Sequence, residues 1–212
     1  MRELVLASGN AGKPRELEQL LEGLPVRVRA LGEFTAGEAE ETGVTFIENA
    51  LIKARHAAAL TGLPALADDS GLEVDVLAGA PGVYSARYAG VNATDEANRV
   101  QLLQALSDLD AQAPEQRRAR FRCVLALLRH PLDPAPLIAE GVWEGRVAAS
   151  ARGTRGFGYD PLFELPDRGC TAAELEPAEK GVLSHRGQAL AALRPRLEAW
   201  LEASPPEPLD PA

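Results

Sequence analysis

The adjacent carboxylates Asp68 and Asp69 are the first candidates for chemistry in this chain. They follow the apolar run 64–67 and precede Ser70 and Gly71, so we expect them to end a short buried strand, where α/β enzymes place functional groups. Neighbouring carboxylates repel unless a proton or a cation lies between them. A raised pKa or a divalent metal would satisfy the pair, and an ordinary Asp-Asp-Ser-Gly turn is the alternative.

A loop of small residues near the N-terminus is the second candidate: Ser8-Gly9-Asn10-Ala11-Gly12-Lys13. Small residues let backbone N–H groups approach a phosphate, the following helix start adds positive potential, and Lys13 supplies a charge. A Walker A loop has four residues between its glycines and a Ser or Thr after the Lys. Here two residues separate the glycines and Pro14 follows, which excludes P-loop kinases and ATPases. A plain tight turn remains the alternative.

A capping box at Thr45 and Glu48 predicts a helix that runs to about Thr61 and ends before Gly62. Lys53 lies on this helix and can reach into a site, although a solvated surface lysine is the alternative. The acidic loop upstream carries Glu40 and Glu41. A carboxylate from this loop could join Asp69 around a hard cation such as Mg²⁺, unless the loop is merely solvated.

Two further clusters lie in the second half of the chain. Residues 153–161 combine glycines with Phe157 and Tyr159, a composition suited to stacking a flat ring against exposed backbone. Residues 183–187 place Ser184, His185 and Arg186 at a probable helix start, with Lys180 just before. The alternatives are an aromatic plug in a hairpin loop and a capping Ser beside a surface Arg.

The order of elements predicts an α/β fold with a mixed, strongly twisted central sheet and flanking helices. The predicted strands are 3–7, 26–31, the aspartate-bearing strand, the long hairpin 118–129 and 137–147, and 161–165. The predicted helices are 14–22, 45–61, 95–107 and 185–203, the last with a kink at Pro195. We expect residues 1–203 to form one domain and the Pro-rich tail 204–212 to be disordered.

Composition limits the classes of partner. The chain has 212 residues, 46% of them hydrophobic, and a formal charge of −9, which argues against nucleic acid or an anionic membrane as partner. Cys123 and Cys170 lie far apart without further Cys or His nearby, so we expect two buried reduced thiols and no zinc site. No segment approaches membrane-spanning length. We therefore expect a cytoplasmic protein.

Taken together, these clusters resemble one family, the inosine triphosphate pyrophosphatases, over nearly the whole chain. These enzymes hydrolyse deaminated purine nucleoside triphosphates to the monophosphate and pyrophosphate. The segments that carry the resemblance are Ser8–Lys13, Glu41–Ala50, Ala67–Leu72, Gly79–Gly82, Ser85–Tyr88, Gly156–Pro161 and Ser184–Gly187.

The resemblance implies a homodimer with two lobes around a nucleotide cleft, Mg²⁺ dependence, and attack of water at the α-phosphorus. By that likeness Asp69 is the proton acceptor for the water and a metal-site residue, with Asp68 beside it, while Glu41 helps to hold the metal. Lys13 and Lys53 would neutralise the triphosphate, whose departing pyrophosphate gathers negative charge.

The same resemblance implies how the base is selected. His185 and Arg186 would donate to the 6-keto oxygen of hypoxanthine or xanthine, and adenine would leave these donors unpaired. Phe157 would stack on the base. The remaining residues expected to bind substrate are Ser70, Gly158, Tyr159, Asp160 and Lys180. Arg155 departs from the family, which commonly has Gly there, and we expect its side chain to point outward.

Three other functions are weighed against this one. A phosphatase of the haloacid-dehalogenase type would use Asp69 as a nucleophile, but it needs a second Asp where this chain has Gly71. A non-catalytic nucleotide sensor should lack one of the carboxylates or lysines. A pyrophosphatase for other modified nucleotides on the related fold should lack the Ser184-His185-Arg186 element.

Overall fold

A computed structural model describes residues 2–7, 21, 23–35, 37 and 39–202 of the chain. Three predictions fall outside these residues. They are the Ser8–Lys13 loop, the helix at 14–22 apart from Leu21, and the tail from 204 onward.

The described residues form a seven-stranded mixed sheet in the order β2-β1-β3-β4-β5-β6-β7. Strand β1 pairs in parallel with β2 and β3, and all further pairs from β3 to β7 are antiparallel. The strands are β1 Arg2–Ala7, β2 Val26–Ala30, β3 Ala65–Val74, β4 Arg118–Leu128, β5 Leu137–Val147, β6 Phe163–Leu165 and β7 Cys170–Thr171. The predicted α/β fold with a mixed sheet is confirmed.

Four α-helices are present in the described part of the chain: α1 Phe46–Thr61, α2 Asp95–Asp108, α3 Pro177–Leu183 and α4 His185–Glu202. The predicted capping box of α1 is present, with both Thr45 and Glu48 accepting the other's backbone N–H. Gly62 ends α1 in a left-handed conformation. The seven-residue α3 was not predicted, because so short a helix shows no hydrophobic period. No helix in the described ranges has the length and hydropathy of a membrane span.

Helices cover both faces of the central strands. On one face, α1 packs its alanines against Val5, Ala7, Ala65, Ala67 and Val124. On the other face, α4 packs Leu190, Leu193 and Leu197 against Leu4, Leu6, Leu66 and Leu125. Because side chains alternate along a strand, odd and even positions of β1 and β3 serve different helices. This double coverage explains why these strands read as continuous apolar runs.

Strand β3 differs from the prediction at the position that matters most. It has ten residues and continues through Asp68 and Asp69, so both the short strand ending at the aspartates and the Asp-Asp-Ser-Gly turn are wrong. The reason is tertiary: β4 pairs with β3 from Ala65 to Val74. Strand β1, in contrast, stops at Ala7, opposite Ala67. The aspartates therefore begin one residue beyond the carboxyl end of β1.

Smaller differences occur elsewhere. The strand predicted at 161–165 begins only at Phe163, because Asp160–Leu162 forms a 3-10 turn that Pro161 initiates. Both cysteines are reduced, as predicted, but only Cys123 is buried. Cys170 is half-buried because it lies in the short outermost strand β7.

Candidate functional site

A cavity of about 730 Å³ opens between β3, the segment 83–87, the loop 157–160 and the start of α4. Most of the predicted site residues in the described ranges line it. These are Glu41, Lys53, Asp69, Ser70, Phe157, Gly158, Tyr159, Asp160, Lys180, His185 and Arg186. The exception is Asp68. The sequence clusters, which are up to 145 positions apart (186 − 41), therefore meet in one place.

The acidic end of the cavity is organised around Lys53. Its Nζ donates to Glu41 Oε1 at 2.9 Å and to Asp69 Oδ1 at 2.8 Å. Asn49, one turn earlier on α1, donates to Asp69 Oδ2 at 3.3 Å. Since residues four apart lie on one face of a helix, α1 presents both donors to the same carboxylate. Lys53 is thus a site residue and not a solvated surface lysine.

The environment of Lys53 keeps it charged. Burial is the largest single influence and acts to lower the pKa of the ammonium group. The attraction of Asp69, Asp68 and Glu41 outweighs burial, so the pKa is raised above its ordinary value. Lys53 is therefore a full positive charge at neutral pH, held between two carboxylates.

Asp68 faces the opposite side of the sheet from Asp69, because successive side chains of a strand alternate. Its Oδ2 accepts from Arg186 Nη2 at 3.3 Å and from Ser70 Oγ at 3.3 Å. Arg186 and Asp68 are both almost completely buried, with side chains 1% and 0% exposed. The two aspartates therefore contact different cations, Asp69 contacting Lys53 and Asp68 contacting Arg186, and a metal ion held by both stays a prediction. Asp68 instead holds Arg186, which lines the cavity.

The cavity is also lined by the ring of Phe157, which we call the aromatic platform. Lys180 Nζ lies 5.0 Å and Arg186 Cζ 5.8 Å from the centre of the Phe157 ring. Asp160 Oδ2 accepts both the Phe157 backbone N–H at 2.9 Å and Lys180 Nζ at 2.7 Å. A Cβ at Gly156, which has φ +76°, would lie 2.0 Å from the same oxygen. Asp160 thus shapes the loop that carries Phe157.

His185 at the start of α4 is supported by a residue that sequence reasoning missed. Its ring stacks on Phe121 of β4, with centroids 4.7 Å apart and an interplanar angle of 13°. The helix start can approach the sheet because residue 141 of β5 is glycine. A Cβ at Gly141 would lie only 2.0 Å from the His185 carbonyl oxygen. Phe121 also lines the cavity, but its sequence signal is only that of an apolar strand residue.

Several other lining residues were not predicted to belong to a site: Ser85, Arg87, Asp95 and Asn98. Arg87 donates to Glu41 at 3.3 Å, which adds a second cation to the acidic end. Ser85 accepts the Tyr159 hydroxyl on its carbonyl oxygen at 2.8 Å, and burial raises the pKa of that phenol. Ser85 and Arg87 belong to a segment that carries the resemblance, but no role was assigned to them. Nothing in the sequence indicated that Asp95 and Asn98 belong to a site.

Two expectations concerned residues around the cavity. Arg155 points outward, as predicted: it is exposed and pairs with Glu176 at 2.7 Å. Glu40 is exposed and does not line the cavity. Of the two neighbouring glutamates, Glu41 is therefore the one that reaches Lys53.

The donor set of the acidic end can be tested against a metal. The described residues contain no group of three or more His, Cys, Asp or Glu side chains arranged to hold an ion. Glu41 and Asp69, however, contact the same ammonium nitrogen. Mg²⁺ is commonly bound through one or two carboxylates together with substrate phosphates, and not by an all-protein cage. Two hard oxygen donors in a cavity fit that pattern.

Comparisons with known proteins show the family of this chain. The model of the Ham1 family matches residues 4–196. A dITP/XTP pyrophosphatase from Thioalkalivibrio sulfidiphilus is 58% identical over 92% of this chain and 98% of its own, and one from Pseudomonas aeruginosa is 58% identical over 93% and 98%. The structure of a HAM1 protein from Coxiella burnetii superposes with a TM-score of 0.85 at 53% identity, covering 95% of this chain and 98% of its own. The chain belongs to the Ham1 family.

Proposed function

We propose that this protein hydrolyses deaminated purine nucleoside triphosphates, namely ITP, dITP and XTP, between the α- and β-phosphorus to yield the monophosphate and pyrophosphate. Relatives named dITP/XTP pyrophosphatase at 55–59% identity support this activity. The observation that carries it is a single cavity with a charged end at Lys53 and Asp69 and an aromatic end at Phe157. A triphosphate and a flat base need these two environments together.

The chemistry assigned to the acidic end begins with Asp69 as the base that takes a proton from the attacking water. A carboxylate can do this only while it is ionised, and the ammonium of Lys53 at 2.8 Å favours the ionised form. Lys53 then faces the phosphates, where negative charge grows as the α–β bridge breaks. Lys13 is proposed to share this task from outside the described residues.

Glu41 and Asp69 are the residues that would hold Mg²⁺, with the phosphate oxygens completing its ligands. When bound, the ion would neutralise the triphosphate and make the α-phosphorus more electrophilic. Because Lys53 touches both carboxylates, it offsets part of their negative charge before substrate arrives.

Selection of the base is assigned to the aromatic end. A base stacked on Phe157 would have two buried donors beside it, His185 and Arg186, each less than a tenth exposed. A 6-keto oxygen accepts from such donors. Adenine carries a 6-amino group there, so its binding would leave these donors unpaired, and a site of this kind therefore rejects adenine by orders of magnitude.

The proposed function is tested by product analysis with ITP, XTP, GTP, ATP and dTTP as separate substrates in the presence of Mg²⁺. We expect pyrophosphate from ITP and XTP and little turnover of ATP and dTTP. Guanine also carries a 6-keto oxygen, so a low turnover of GTP would have to arise at the 2-position of the base. Orthophosphate as the product would favour a phosphatase, and equal turnover of ATP would contradict the assignment of His185 and Arg186. Binding of ITP without any product would leave a nucleotide sensor.

Removal of divalent cations is expected to lower pyrophosphate release from ITP by about 100-fold, because ion stabilisation of phosphoryl transfer is worth several kcal/mol. The measurement is the initial rate in EDTA, followed by titration with MgCl₂ beyond the chelator. Recovery with MgCl₂ is the expected result. An unchanged rate in EDTA would contradict the role given to Glu41 and Asp69, whatever substrate is hydrolysed.

A homodimer and a cytoplasmic location are part of the same proposal, since the resemblance implies the first and composition favours the second. The sedimentation coefficient of the purified chain distinguishes a dimer from a monomer.

A further inference from the structure

The backbone of Gly158, the residue after Phe157, is held at its N–H and at its C=O by one helix. The Gly158 N–H donates to Asp95 Oδ2 at 2.6 Å, and Arg99 Nη1 donates to the Gly158 carbonyl oxygen at 2.7 Å. Asp95 and Arg99 lie four residues apart on α2, one turn of one helix face. Gly158 adjoins Phe157 directly, so α2 fixes the backbone from which the platform projects.

We propose that Asp95 and Arg99 are positioning residues that set the place of Phe157 and thereby the discrimination between keto and amino purines. The proposal rests on the proposed function, since it names residues that serve the same base-binding end. Neither residue is part of the segments that carried the family resemblance. Neither is proposed to react with the substrate.

Helix α2 is suited to this task because it is itself firmly held. Thr94 caps its start by accepting the Ala97 N–H at 3.1 Å, and Leu102 and Leu106 are fully buried. Between the two positioning residues, Asn98 donates to the Ala86 carbonyl oxygen and accepts the Ala89 N–H. The first turns of α2 therefore tie the segment around Arg87 and the loop around Phe157 to one rigid element.

The other contacts of this loop make its dependence on α2 clear. Asp160 accepts the Phe157 N–H within the same loop and also accepts from Lys180 of α3. The contacts between this loop and the rest of the molecule include those of Asp160 with Lys180, of Tyr159 with Ser85, and of Gly158 with the two residues of α2. The contacts with α2 hold the backbone N–H and C=O of Gly158, the residue after Phe157. A shift of about 1 Å at a substrate-positioning group can cost about 100-fold in rate.

The test uses the full chain and five variants: Asp95→Ala, Arg99→Ala, the double variant, Asp95→Asn and Asp108→Ala. Asp95→Asn keeps an oxygen acceptor and removes the charge. Asp108→Ala is the matched control, because Asp108 accepts from Gln104 at 2.7 Å, also four residues apart on exposed α2 surface. The readouts are kcat and KM for ITP and ATP, and the hydrogen-exchange rate of the Gly158 amide measured by NMR.

We expect Asp95→Ala to raise KM for ITP and to lower the ITP-to-ATP ratio of kcat/KM by about tenfold, the effect of one hydrogen bond. Its Gly158 amide should exchange faster, and the double variant should lose little more than the worse single variant because both residues hold the backbone of Gly158. Asp95→Asn should restore the ratio, and Asp108→Ala should match the wild type.

Two outcomes would overturn the proposal. An unchanged ITP-to-ATP ratio in the double variant means that α2 does not set base selection. An Asp95→Asn variant that behaves like Asp95→Ala means that the charge of Asp95 matters and its hydrogen bond does not. If the wild type itself releases no pyrophosphate from ITP, the proposed function fails instead, and the exchange rate of Gly158 still reports whether α2 holds the loop.

Discussion

Replacement of Asp69 by Asn is expected to reduce the rate of pyrophosphate release from ITP by about 1000-fold, within the range that a positioned general base contributes. Asn has nearly the same shape as Asp, so the packing of β3 should be kept. It cannot take a proton from water, however, and it removes one of the two carboxylates that contact Lys53. The measurement is kcat with saturating ITP and Mg²⁺, together with the thermal midpoint of unfolding.

The matched control is Asp75→Asn. Asp75 directly follows the same strand and also accepts from a cation, Arg120 Nη2, at 2.8 Å, but it is exposed and lies outside the cavity. We expect this variant to keep wild-type kcat, because Asp75 lies outside the cavity. Its stability should also change little, since an exposed ion pair contributes at most about 1 kcal/mol. An Asp69→Asn variant within tenfold of the wild-type rate would remove Asp69 from the role of proton acceptor.

Those elements whose signals are local could be predicted from the sequence. Thr45, Glu48 and Gly62 define both ends of α1 through caps, and the long apolar runs define β4 and β5. The length of β3 could not be predicted, because two aspartates and a glycine disfavour a strand by local propensity. Pairing with β4 along ten residues overrides that propensity.

The candidate site was predictable where one short segment carried several chemical groups. Asp69, Phe157 and His185 lay in such segments, and they line the cavity together with Lys53, which the sequence offered only as one lysine on a helix. The partner of Asp68 was not predictable from the dipeptide alone. Side chains alternate along β3, so Asp68 and Asp69 face different helices. Once Asp68–Asp69 is read as part of a strand, the same period of two predicts that separation.

Contacts between distant loops lay beyond sequence reasoning. Asp95 and Gly158 are 63 positions apart, and neither carries a signal that names the other. Phe121 reads as one apolar residue among many in β4, and only its stacking on His185 distinguishes it. Such residues are found by the pairing of elements in space, which a single sequence does not give.

The buried pair of Asp68 and Arg186 supports the second large prediction. We expect Asp68→Leu to lower the free energy of unfolding by about 3 kcal/mol, because it leaves a charged guanidinium buried without its carboxylate. Arg186→Met should be similarly costly, since it removes the guanidinium that pairs with the buried Asp68 carboxylate. Urea denaturation of each variant at pH 7 measures these changes. In both variants the ITP-to-ATP ratio of kcat/KM should fall, since Arg186 loses either its position or its donors.

The double variant Asp68→Leu/Arg186→Met separates stability from selection. Replacing both members of a buried ion pair by apolar groups of similar size is often neutral for stability, so we expect unfolding free energy to return to within about 1 kcal/mol of the wild type. The ITP-to-ATP ratio should stay low, because no guanidinium remains to donate to a 6-keto oxygen.

The Mg²⁺ concentration that gives half-maximal activity of Asp68→Leu tests the alternative role of Asp68, that of a metal ligand. If Asp68 were a metal ligand, as the sequence suggested, that concentration would rise steeply while stability changed little. If Asp68 holds Arg186, as the 3.3 Å contact indicates, stability and base selection change and the Mg²⁺ requirement does not.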